Sequence, residues 1–233
     1  MAVAPRVRLG EIARSGAVCF GRLGYRRTRM AEVAVEAGVS TGLVYSYVES
    51  KEALLYLVLA VGFGRSTEDF AELPVADPGL EATVQMVGRE LRRQAVTPLL
   101  KAAVEGDPRP DVAAELEAIV LEQYGTVEQL RGVLSVIEAS AADLPALEEL
   151  YFGRGRRARI DLLTQYLVRR AASGHLASFP DMAVASQMVT ESVAWFAWKR
   201  FEGRDAGRFD DETARRTVVE FICHALLPER SRR

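Results

Sequence analysis

The 233-residue chain is 49% apolar and 27% charged, with a net charge of −2. That composition supports a sizeable core and excludes both wholesale disorder and a chain-wide polybasic binder of nucleic acid. Residues 1–56 hold eight Lys/Arg against five Asp/Glu, and the remainder holds 22 against 27, so a polyanion contact belongs at the N-terminal end.

Helical periodicity runs through nearly every segment, with Gly and Pro as punctuation. The first helix is expected from about Arg6 to Leu23, because Leu9, Ile12, Ala13, Gly16, Ala17 and Phe20 form one stripe. Gly24 suits its end. Thr28 is placed to cap a short second helix whose Met30, Val33, Ala34 and Ala37 share a face, and Gly38 ends it in the left-handed region. Ser40 caps a third helix, Thr41 to about Val48, and Ser50 caps a fourth with Glu52 in its first turn. The fourth is apolar nearly all round through Leu54, Leu55, Val58, Leu59 and Val61. A tight Gly-Val-Ser joint between the second and third helices makes a helix-turn-helix.

From about residue 75 the helices lengthen, near 79–96, 98–105, 110–140, 145–173, 183–202 and 211–227, with Gly125, Gly132, Gly153 and Gly155 as interruptions. The tail PERSRR is polar. The fold class is all-α, a small helix-turn-helix domain followed by a larger helical domain. The boundaries expected are 1–50, a linking helix at about 51–70, and 71–233.

The third helix has two faces. Val39, Val44 and Val48 can point inward, leaving Thr41, Gly42, Leu43, Tyr45, Ser46 and Tyr47 outward. A plain reading packs the tyrosines on the first or fourth helix. A functional reading makes the face one for duplex DNA, since a helix of this width fits the major groove and its short side chains reach base edges. Tyrosine hydroxyls bond phosphate oxygens, and Gly42 allows close approach. Thr28 and Lys51 begin flanking helices, where a phosphate is favoured.

The run Thr28, Ala34, Ala37-Gly38-Val39-Ser40, Gly42, Val44-Tyr45, Tyr47, Ser50-Lys51-Glu52 and Leu54, preceded by Phe20 and Gly24-Tyr25, resembles the N-terminal domain of the TetR family of bacterial transcriptional regulators. Val48 departs from the Phe usual there, and Leu43 from a smaller or polar residue. The resemblance implies an all-helical, two-domain dimer with DNA contacts from Thr28, Thr41, Gly42, Tyr45, Tyr47 and Lys51, and Ser40 and Leu43 join them as candidates for the same contact. Phosphates are assigned to Thr28, Tyr47 and Lys51, and base edges to Thr41, Leu43 and Tyr45, although Tyr45 serves a phosphate equally well. It also implies a small effector in the larger domain, most often releasing a repressor from its operator.

The last two long helices carry wide apolar stripes. Val184, Met188, Val189, Phe196, Val218, Phe221, Ile222 and Leu226 are the candidates for a two-fold four-helix dimer interface, against the plain reading that they only close the monomer core. Two recognition helices then reach major-groove faces roughly 34–36 Å apart or a multiple of that, on a near-palindromic operator. The candidates for an apolar effector cavity are Met86, Leu100, Tyr124, Ile137, Phe152, Tyr166, Trp195 and Trp198, which suits a lipophilic or aromatic ligand.

Two cysteines, Cys19 and Cys223, make no disulfide framework, and two histidines make no His-rich zinc site. No cofactor and no metal are expected. The start lacks the apolar core and cleavage site of a secretory signal. The longest apolar stretch, residues 53–64, is short of the roughly 20 residues that span a bilayer. A cytoplasmic protein without a membrane partner is the expectation. No Gly-rich phosphate loop, GxSxG, HExxH or CxxC is present, so Asp143, Glu148, Glu149 and Asp161 read as solvated faces rather than as an enzyme's acids and bases. A helical adaptor that binds a protein through Tyr45 and Tyr47 is the remaining alternative.

Overall fold

A computed structural model describes residues 4–108, 110–202 and 207–228. Residues 203–206 and the polar tail beyond Pro228 lie outside the described residues. Among the described residues there is no strand, only an isolated bridge between Val48 and Val75. The helices are α1 Pro5–Arg27, α2 Met30–Glu36, α3 Thr41–Tyr45, α4 Lys51–Gly62, α5 Leu80–Gln94, α6 Pro98–Glu105 and α7 Val112–Ala141. They continue as α8 Pro145–Glu148, α9 Arg156–Ala172, α10 Met182–Ala197 and α11 Asp211–Leu226. A π-helical turn, Glu149–Gly155, interrupts the long helix expected over 145–173.

The chain forms two compact units. One holds the residues up to Gln94 together with Leu130–Gly153, and the other holds Ala95–Gln129 with the residues from Arg154 onward.

In the first unit, Leu9, Ile12, Ala13, Gly16 and Phe20 of α1 are buried, as their spacing predicts, while Ala17 of that stripe is only half-buried and Cys19 is buried beside it. They meet α4, whose Ala53 to Ala60 are buried except for Tyr56. The approach is close: a Cβ on Gly16 would sit 2.7 Å from Val58. Gly62 at the end of α4 meets Val133 of α7 in the same way, at 2.6 Å. Gly24 does not stop α1. It takes φ 76° and ψ 173°, and helical residues resume as far as Arg27. The cause is tertiary, because the Ala139 carbonyl oxygen lies 2.3 Å from where a Cβ would be.

Two further expectations are corrected here. Thr28 does not cap α2. It is buried at the end of α1, where its hydroxyl donates to the carbonyls of Gly24 (2.7 Å) and Cys19 (3.2 Å). The end of a helix has unpaired acceptors, and Thr28 is the nearest donor. Glu32 instead accepts from the Arg29 N–H at 2.8 Å. The third helix also stops at Tyr45, not Val48. The Val75 N–H donates to the Tyr47 carbonyl at 2.8 Å, and the Glu49 N–H donates to the Val75 carbonyl at 3.1 Å. The returning segment thus satisfies a backbone that has left the helix.

In the second unit, α9 packs on both α6 and α10. Arg170 of α9 is buried and bonded twice to the buried Glu115 of α7, Nε at 2.8 Å and the second nitrogen at 3.3 Å. It also donates to the Ala103 carbonyl of α6 at 2.8 Å. One guanidinium therefore ties three helices, which removes the penalty of burying either charge alone.

Candidate nucleic-acid interface

The helix-turn-helix is built from small residues and caps. Gly38 adopts φ 65° between α2 and α3. The Ser40 hydroxyl accepts from the Leu43 N–H at 3.2 Å, and the Ser50 hydroxyl accepts from the Ala53 N–H at 2.9 Å. Both serines cap the helices assigned to them. Ser50 also donates to Asp77 at 3.1 Å, fastening the start of α4 to the segment that pairs with Val48.

One residue anchors α3. Val44 is completely buried, while Gly42, Leu43, Tyr45 and Ser46 are exposed and Thr41 and Tyr47 are half-buried. Tyr45 is 47% exposed, so it does not use its ring to fill the core. A Cβ at Gly42 would meet nothing within 4 Å. The Ser46 hydroxyl donates back to the Leu43 carbonyl at 2.7 Å, closing the last turn. An open face with an apolar methyl group, two phenols and small polar groups is thus held on a fixed backbone.

Thr28 and Lys51 do not join this face through their polar atoms. The Thr28 hydroxyl is turned inward, as described above. The Lys51 ammonium donates to the carbonyls of Tyr25 (3.2 Å), Thr28 (3.3 Å) and Arg26 (3.4 Å), and lies 4.4 Å from the centre of the Tyr25 ring. Its three donors match the three carbonyls left open where α1 ends. The Tyr25 hydroxyl in turn donates to Glu52 in a short bond. That bond pulls the Glu52 carboxyl below its ordinary range, while burial and then the Glu52 contact push the Tyr25 phenol up.

Exposed positive charge at the end of α1 and the start of α2 comes from residues that sequence reasoning did not single out. Arg22, Arg26, Arg27 and Arg29 are all exposed. Asp143, which accepts from the Arg26 N–H at 2.8 Å, lies 4.0 Å from the Arg26 guanidinium, whose side chain remains 85% exposed. Their signal in the sequence is the run Tyr25-Arg-Arg-Thr-Arg29, in which three arginines surround Thr28.

The other candidates divide. In the first unit, Met86 lines a cleft of about 350 Å³ between α4 and α5. Ile137 is buried core, and Phe152 stacks edge-on against Tyr151. In the second unit, Leu100, Tyr124, Tyr166 and Trp198 are buried, and Trp195 is 40% exposed. Met86 is the one of the eight that lines a described cavity. Trp195 shares a stripe with Val184 and Met188, eleven and seven residues earlier on α10.

Of the interface candidates, Val189, Val218, Ile222 and Leu226 are buried, Phe196 is half-buried, and Val184, Met188 and Phe221 are strongly exposed. Those three line an apolar groove of about 320 Å³ between α10 and α11, with Phe179, Val189 and Ile222.

Residues 12–57 match the family model of the bacterial regulatory proteins, tetR family. Among solved structures, the chain is similar to the ketosteroid transcriptional regulator KstR2 of Mycobacterium tuberculosis, at 14% identity over 95% of this chain and 96% of that one, with a TM-score of 0.56. It is similar to an HlyIIR mutant protein at 16% identity over 98% and 100%, with a TM-score of 0.55. These likenesses are of fold. No curated protein matches the chain in sequence.

Proposed function

We propose, from the premise that residues 12–57 make this chain a member of the TetR family of bacterial regulators, that it is a dimeric, ligand-responsive repressor of a near-palindromic operator. The observation that carries the reading is the α3 face. Gly42, Leu43 and Tyr45 are exposed and Thr41 is half-buried on a helix fixed by Val44 and the Ser40 cap, in a helix-turn-helix whose preceding segment carries four exposed arginines. Small polar groups and a leucine methyl suit base edges in a major groove, and the arginines suit phosphates on either side.

Thr41, Leu43 and Tyr45 are assigned to base edges, with Tyr47 at the backbone. Arg26, Arg27 and Arg29 take over the phosphate roles first given to Thr28 and Lys51. Dimerisation is assigned to the α10–α11 face. Val184, Met188 and Phe221 are 56%, 66% and 70% exposed, a cluster that a second copy would cover. Effector binding would bias α4, which begins beside the end of α1 and so adjoins the DNA face. A hundredfold loss of operator affinity needs about 2.7 kcal/mol of differential binding. Among the described residues no helix is long and apolar enough to cross a membrane.

Selection from random duplexes tests this. The chain should enrich a palindrome, and Tyr45→Ala should lose it. Absence of any enriched sequence at low salt would remove the reading and favour an adaptor that binds protein through the same face.

A further inference from the structure

We propose that the cleft between the C-terminal end of α4 and α5 is an anion seat that binds a small aromatic acid through its carboxylate or phosphate. That such a ligand regulates the protein rests on the reading above. That it binds stands on the geometry alone.

The cleft is lined by Tyr56, Ala60 and Phe63 of α4 and its end, by Arg65, and by Met86, Arg89, Glu90 and Arg93 of α5. Three guanidiniums thus face one carboxylate. Glu90 is already committed. It accepts from Arg93 at 2.7 Å and from Gln94 at 2.9 Å, and the Arg93 bond holds its carboxyl below the ordinary range. Gln94 spends its other donor on the Phe63 carbonyl at 2.7 Å. Arg65 donates to the Tyr56 hydroxyl at 2.6 Å and to the Asp69 carbonyl at 3.2 Å, and it lies over the Phe70 ring at 4.4 Å. These partners orient it without neutralising it. Arg89 makes no hydrogen bond or ion pair among the described residues, and it is exposed. Three guanidiniums stand against one carboxylate, and although Arg89 also helps to hold the Glu90 carboxyl down, Arg65 and Arg89 form no ion pair, so the cleft keeps a surplus of positive charge that selects a planar or tetrahedral oxyanion.

The rest of the lining sets the body of the ligand. Ala60, Phe63 and Met86 are buried apolar side chains, and Tyr56 adds a half-buried ring. They give the mostly polar cleft of about 350 Å³ a small apolar floor, enough for one face of an aromatic ring. A purely lipophilic ligand would strip water from two cations without replacing its bonds. A cationic one would be repelled. The lipophilic or aromatic effector expected from composition is thus narrowed to an aromatic acid. Its occupancy would clamp α4 to α5, and α4 is a single 12-residue helix whose first residue is Lys51.

The test is calorimetric titration of the full chain with phenyl phosphate and, separately, with benzoate, with phenol as the neutral control. Saturable binding of either acid, not shared by phenol, is expected, and the tighter acid identifies the oxyanion. Arg89→Gln should weaken it about tenfold, the loss of one charge-assisted bond. Arg89 holds nothing in the fold, so the variant's melting temperature should stay at the wild-type value and report that it is folded. No saturable binding to wild type, or equal affinity for a folded Arg89→Gln, overturns the seat. Operator affinity is measured in a second assay. If binding occurs and operator affinity is unmoved, the effector role is overturned and the seat stands. Failure to select an operator bears on the regulator reading only.

Discussion

Lys51→Met separates two roles that its position allows. The structure gives the ammonium to the end of α1, through three carbonyls at 3.2–3.4 Å and the face of Tyr25. A hydrogen bond made by a charged group contributes about 1.5–3 kcal/mol. A cation over an aromatic face adds about 0.5–1 kcal/mol at an exposed site, and a cation at a helix C-terminus about 0.3–1 kcal/mol. These contributions overlap on one ammonium, and the bonds here are long, so a net loss of about 2 kcal/mol is expected. For a chain of this size that is a fall of about 4–8 °C in melting temperature. Met keeps the length and apolar stem of Lys, so what is lost is the charge and its donors.

The second arm is operator affinity against salt. A lysine that neutralises a phosphate contributes about 1 to the log–log slope for each protomer. With its three donors turned into the protein, Lys51 should leave that slope unchanged when replaced, while Arg27→Gln and Arg29→Gln should each make it shallower. A Lys51→Met protein that melts like wild type and loses about one unit of slope per protomer would refute the assignment and return Lys51 to the phosphate.

Three further outcomes follow from named contacts. Gly24→Ala places a side chain in a backbone region open essentially to glycine, 2.3 Å from the Ala139 oxygen. The strain alone is about 1–3 kcal/mol, so a fall in melting temperature of at least about 3 °C is expected, and an unchanged value would contradict the kink. Arg170→Met leaves the buried Glu115 charge without its cationic partner, at about 3–5 kcal/mol, and adding Glu115→Leu should restore much of it in a double-mutant cycle. Additive losses would argue against the pair. The folded Glu52 carboxyl is depressed chiefly by the Tyr25 hydroxyl, so its contribution is complete above the ordinary carboxylate range and is lost as pH falls through the lowered folded value. Tyr25→Phe should therefore flatten stability against pH on the acid side. A wild-type acid limb in Tyr25→Phe would remove Glu52 as its source.

The sequence determines what local rules can reach. Ser40 and Ser50 cap the helices they precede, Gly38 turns left-handed, and Val44 faces inward while Tyr45 faces out, because each depends on neighbours within four residues. The ends of α1 and α3 were misplaced because distant chain decides them. Ala139 crowds α1 at Gly24, and Val75 takes the Tyr47 carbonyl and the Glu49 N–H at the end of the turn that follows α3. Thr28 and Lys51 were assigned to phosphates by their position at helix starts. That reasoning counted the free N–H groups of the next helix and overlooked the free carbonyls of the previous one. The pairing of Arg170 with Glu115 spans 55 residues, and no periodicity signals it.

The same asymmetry explains why the exposed α3 face was more legible than any cavity. A recognition surface can be built from one short helix, and its residues lie within a few positions of each other. A cavity is made where several elements fail to fill space, so its lining depends on packing at a distance. Composition led to the aromatics Tyr124, Tyr166 and Trp198, which are buried core. The cleft instead combines Met86 with charged residues at the end of α4 and on α5. Arg65, Arg89 and Arg93 look like ordinary solvated arginines in the sequence, and Glu90 looks like their partner. Only the bonds show that Arg93 is the arginine that hydrogen-bonds Glu90, with Gln94 beside it, which leaves the cleft with more guanidiniums than carboxylates. The chemistry of the seat is thus a matter of what remains after the pairing is done, and that remainder is fixed by tertiary structure.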